Sequence, residues 1–114
     1  MGIESASVTS VGSQDVAAMK EALSMQPISA AVQASSFNFQ MYSGGVFDDP
    51  QCGTLPDTYV LITGWGTDPV DGDYWLIKNS FGQSWGESGY MRLLIQEGVG
   101  VCGVNLQTEY PVAI

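Results

Sequence analysis

The stretch Tyr74-Trp75-Leu76-Ile77-Lys78-Asn79-Ser80-Phe81-Gly82-Gln83-Ser84-Trp85-Gly86-Glu87-Ser88-Gly89-Tyr90 decides the fold. Tyr74 to Asn79 is apolar and aromatic with one charge, and it reads as a strand. The glycine- and serine-rich residues that follow break it before a second strand, Gly89 to Ile95. Upstream, Tyr59 to Trp65 forms a third strand. Asp68-Pro69-Val70-Asp71-Gly72-Asp73 lies between it and Tyr74 and carries the residues of a hairpin tip.

Working outward, Ser5 to Val11 alternates small, β-branched and polar residues and predicts a short edge strand. Gly12-Ser13 ends it, with Ser13 expected to cap a helix from about Gln14 to Ser24. Val16, Met19, Ala22 and Leu23 make one apolar stripe on that helix, and Pro27 stops it. Ile28 to Ala34 reads as a strand buried on both faces. Phe37 to Met41 is aromatic-rich, and Tyr42-Ser43-Gly44-Gly45-Val46-Phe47 is a turn leading into another strand. Asp48 to Pro56 is a loop. These elements predict an antiparallel β domain with a helix laid on it. At 114 residues, residues 1–114 are expected to form a single domain.

Composition narrows the function. Hydrophobic residues make up 45% and charged residues 13%, which excludes a disordered chain. Twelve acidic residues against three basic ones give a net charge of −9. That excludes nucleic acid as a partner, because phosphates demand a basic face, and disfavours anionic lipid. No apolar run approaches the ~18 residues that a membrane span requires. Met1-Gly2-Ile3-Glu4-Ser5-Ala6 has neither a basic nor an apolar leader segment, so no targeting signal is expected. The sequence contains no histidine, which removes the usual general base near neutral pH and the commonest metal ligand. Asp48-Asp49 and Asp68, Asp71 and Asp73 lack the ordered ligand spacing of a calcium loop and read as solvated turns. Trp65, Trp75 and Trp85 read as core. Neither a metal nor a cofactor is expected.

Six segments follow one another in order: Gln26-Pro27-Ile28-Ser29; Phe39-Gln40-Met41-Tyr42-Ser43-Gly44-Gly45-Val46-Phe47; Gly64-Trp65-Gly66; Tyr74 to Gly82; Trp85-Gly86-Glu87-Ser88-Gly89-Tyr90; and Val101-Cys102-Gly103. From about Val8 to Val112 the succession resembles the C-terminal half of a papain-like cysteine peptidase, of the papain and cathepsin L family. The resemblance implies an α+β fold, the antiparallel β-barrel-like lobe with one short helix. The family's helical lobe, which carries the nucleophilic Cys, has no counterpart here.

In that family a thiolate, an imidazole and an orienting Asn carry out peptide hydrolysis. Carried across, Asn79 holds the Asn position of Lys-Asn-Ser. The His position, after Asp57, is occupied by Thr58, which cannot take a thiol proton at useful rates near neutral pH. Phe81 stands where the family has a Trp that shields the Asn–His hydrogen bond. Tyr59 stands where the family has a small residue in the pocket for the residue before the scissile pair, and is expected to fill much of that pocket. Pro56 and Gln107 are its other vestigial wall positions. Cys52 and Cys102 match positions that pair in the family, so the resemblance implies a disulfide. Closing a loop of about 51 residues stabilises a fold by roughly 4 kcal/mol in the chain-entropy view. It also implies an oxidising compartment, whether lysosome or vacuole, secreted, or another lumen.

The leading expectation is a non-catalytic homologue, a pseudo-peptidase lobe that binds or builds. Without a second lobe one face is uncovered, so a protein partner is expected: the missing helical lobe as a separate chain, or a larger assembly. The net charge favours a partner with a basic rim. Two alternatives stay open. One is a fragment or chain of a papain-like cysteine endopeptidase whose Cys-bearing lobe is a separate chain and which hydrolyses peptide bonds; the other is an inhibitor or decoy.

Overall fold

The structure, a computed structural model, describes residues 7–10, 15–106 and 108–112. Seven strands form one sheet: β1 (Ser7–Ser10), β2 (Ile28–Val32), β3 (Val46–Phe47), β4 (Thr58–Asp68), β5 (Gly72–Lys78), β6 (Tyr90–Leu94) and β7 (Thr108–Val112). Their order is β1-β7-β2-β4-β5-β6-β3. Helix α1 (Val16–Leu23) and the single-turn α2 (Phe37–Gln40) complete the α+β fold, with a 3-10 turn at Val101–Gly103. No helix among the described residues is long and apolar enough to cross a membrane.

The β4–β5 hairpin is the long element, paired from Leu61 with Lys78 to Asp68 with Gly72. Its tip closes as the sequence predicts, because the Asp68 carboxylate accepts the backbone N–H groups of Val70 and Asp71. The alternation of side chains along a strand then gives the sheet two unlike faces. Ile28 pairs with Ile62, and Ile62 with Ile77, and all three are fully buried. Each contributes about 1.5–3 kcal/mol through burial. Met19 of α1, Trp75, Met91 and Leu93 join the same core. One residue along, Ser29 pairs with Leu61, and Leu61 with Lys78. That row faces the other way, and Leu61 and Lys78 are exposed.

Four expectations are corrected. β3 runs parallel to β6, Val46 opposite Arg92, so the sheet is not purely antiparallel. Among the described residues no pairing joins the end strands β1 and β3, so the sheet is open where a barrel-like closure was expected. Helix α1 is capped by Asp15, whose carboxylate accepts the Ala18 N–H; the expected cap Ser13 lies outside the described residues. Phe37–Gln40 is helical because Ser36 caps it, its hydroxyl accepting the Phe39 N–H. Aromatic residues are indifferent helix formers, so a local cap decides.

Cys52 and Cys102 form a disulfide across 50 residues of sequence, and both are buried. Around it, the Gln33 N–H donates to the Cys102 carbonyl at 3.0 Å. The Gln33 side-chain oxygen accepts the Leu55 N–H at 2.8 Å. The loop leading into β4 is thereby anchored to the end of β2.

Candidate functional site

That anchored loop delivers Pro56, Asp57 and Thr58 to the start of β4. The Asp57 N–H donates to the Val32 carbonyl at 3.0 Å, continuing the β2–β4 ladder. The Asp57 carboxylate accepts the Ala34 N–H at 2.8 Å and the Thr58 hydroxyl at 3.0 Å. These hydrogen bonds, the Ala34 N–H foremost, hold its pKa below the usual carboxylate value. Thr58 therefore points its hydroxyl proton at a fixed carboxylate.

Asn79 follows β5 directly. Lys78 pairs with Leu61, so Thr58, three residues before Leu61, and Asn79, one residue beyond Lys78, lie at the same end of the β4–β5 hairpin. The Asn79 backbone N–H donates to the Gly89 carbonyl at 3.1 Å. Its side-chain oxygen accepts the Ser80 N–H at 2.8 Å. Only 8% of the residue is exposed, and its buried Nδ2 has no hydrogen-bond partner among the described residues. An amide donor left so is unusual, since buried polar groups are nearly always paired.

Two residues on, Phe81 is the outer ring of an aromatic cluster. It meets Trp85 edge-on at 5.4 Å and Phe39 at 6.3 Å. Trp85 is fixed beneath it, stacked on Phe39 at 5.6 Å, with its indole N–H donating to the Phe39 carbonyl at 3.2 Å. Phe81 keeps 41% of its surface exposed.

Two shallow hollows meet at Tyr59. One, of about 350 Å³, is lined by Ala31, Pro56, Asp57, Thr58 and Tyr59. The other, of about 400 Å³, is lined by Ser29, Tyr59, Val60, Leu61, Lys78, Asn79 and Ser80. Tyr59 is 64% exposed and lines both hollows. Gln107, the remaining predicted wall position, lies outside the described residues. Ala31 and Lys78 were not singled out from the sequence. Ala31 was signalled only by its place in the apolar run of β2, and Lys78 by being the one basic residue in its strand.

Chemically the neighbourhood offers an ionised carboxylate, a hydroxyl and an amide. These groups hold and orient; none is an imidazole. Among the described residues no group of three His, Cys, Asp or Glu side chains could hold a metal ion.

Known proteins agree with this geometry. The family description "Papain family cysteine protease" matches residues 2–112. The chain is 45% identical over 98 residues to the probable cysteine protease RD21B of Arabidopsis thaliana, covering 84% of this chain and 21% of that protein. It is 43% identical over 95 residues to cathepsin L of Sarcophaga peregrina, covering 82% and 28%. The bromelain protease of Ananas comosus, solved with the E64 inhibitor, superposes with a TM-score of 0.87 at 38% identity. That match covers 94% of this chain and 50% of the bromelain chain. The chain thus spans at most half the length of these relatives. With the sheet, the disulfide and the ordered motifs in agreement, this chain belongs to the papain family of cysteine proteases.

Proposed function

We propose that this chain is a non-catalytic papain-like homologue, a β lobe acting as a binding or structural subunit of an assembly. The observation that supports it is Thr58. It stands where the family carries its His, its hydroxyl donates to Asp57, and the sequence holds no histidine that could replace it. A threonine hydroxyl does not serve as a general base near neutral pH. Asn79 is the family Asn retained without an imidazole to orient, and its side-chain oxygen, the atom that would accept an imidazole N–H, accepts the Ser80 N–H instead. Phe81 is the remnant of the shielding aromatic, and Pro56, Tyr59 and Gln107 are walls of the former substrate pocket. The disulfide supports folding in an oxidising compartment such as a lysosome, vacuole or other lumen. The partner is a protein: the missing helical lobe or a larger complex.

The test is hydrolysis of peptide–fluorophore substrates, with labelling by thiolate-directed epoxides. Neither is expected of residues 1–114, and Thr58→His alone does not restore turnover in them because both of their cysteines are held in the disulfide. Turnover abolished by Asn79→Ala would overturn the proposal. The names of the relatives, cysteine proteases, favour a second reading, a fragment or chain of a papain-like cysteine endopeptidase whose Cys-bearing lobe is a separate chain. Addition of that polypeptide would then produce turnover in the chain as it stands.

A further inference from the structure

We draw no further inference here: the strongest candidate, the hollow beside the Cys52–Cys102 disulfide lined by Asp49, Gln96 and Gly100, carries nothing, because Asn105 Oδ1, its unpartnered neighbour among the described residues, is buried behind Gly100 where nothing seated in the hollow reaches it.

Discussion

Glu87 and Arg92 meet through two parallel hydrogen bonds, Nε to Oε1 at 2.9 Å and Nη2 to Oε2 at 2.8 Å. The same carboxylate accepts the Gly45 N–H at 3.1 Å. The Tyr42 hydroxyl accepts the Arg92 N–H at 3.2 Å and donates to the Gly45 carbonyl. One fork thus ties the turn before β3 to the turn before β6. It explains how a strand as short as β3 keeps its parallel place at the sheet edge. Bidentate pairing is the strong form of an ion pair, but both side chains keep about a third of their surface in water, which reduces its net worth. Glu87→Gln is expected to cost about 1 kcal/mol of stability, measured by urea denaturation at neutral pH. A loss below the error of the measurement would show that the fork holds nothing.

The same fork sets part of the pH dependence. The Arg92 guanidinium, first among its causes, lowers the Glu87 pKa from its ordinary 4.5. Hydrogen bonds likewise lower Asp57, Asp68 and Asp73 from 3.8. A carboxylate with a depressed folded pKa adds stability that is fully present above the unfolded value. That stability is lost as pH falls through the folded value. Stability is therefore expected to hold down to about pH 5 and to decline below the ordinary carboxylate range. Glu87→Gln is expected to flatten part of that decline. An unchanged slope between pH 5 and pH 2 in the variant would remove Glu87 from the account.

The disulfide is expected to be structural. Cys52 and Cys102 are both buried, and the bridge holds the loop that starts β4. Replacing both with Ala is expected to cost about 2–5 kcal/mol, read as a lowered thermal midpoint, and unreduced peptide mapping should show one bridge. Two freely alkylated thiols in the native protein would refute the pairing and the oxidising compartment with it.

Two glycines make a sharp contrast. At Gly86, φ is +60°, and a Cβ would lie 2.6 Å from the Tyr90 carbonyl oxygen and 2.9 Å from the Tyr42 ring. At Gly64 a Cβ would meet nothing within 4 Å. Gly86→Ala is expected to cost about 3 kcal/mol or more, combining left-handed strain with a backbone clash. Gly64→Ala is expected to stay within about 1 kcal/mol. Equal effects in chemical denaturation would mean that the turn at 85–89 can rearrange.

How far the sequence reaches is plain in particular residues. The β4–β5 hairpin was legible because its strands are apolar and its tip holds Asp68, Pro69 and Gly72. The β3–β6 pairing was not, because two residues carry no periodicity and the contact depends on the Glu87–Arg92 fork, which is tertiary. β7 escaped notice because Pro111 interrupts its pattern. Thr58 and Asn79 were found by their motifs, yet nothing in the sequence placed them at the same hairpin end; the register of Leu61 with Lys78 does that.

Asn79 tests the proposed loss of function from the side of stability. Its carboxamide makes one hydrogen bond, to the Ser80 N–H, and leaves Nδ2 buried without a partner among the described residues. Removing the side chain forfeits about 1 kcal/mol for that bond but also relieves a buried unpaired donor, which costs about 1–3 kcal/mol. A small cavity offsets part of the gain. Asn79→Ala is therefore expected to change stability by no more than about 1 kcal/mol, unusually little for a residue buried this deeply. Asn79→Asp, which puts a charge where a neutral amide stood, is expected to be the more damaging of the two. Urea denaturation of both variants beside the parent decides it. If Asn79→Ala loses more than about 2 kcal/mol, the amide is a structural member of the fold. Its retention would then no longer speak for a dismantled site.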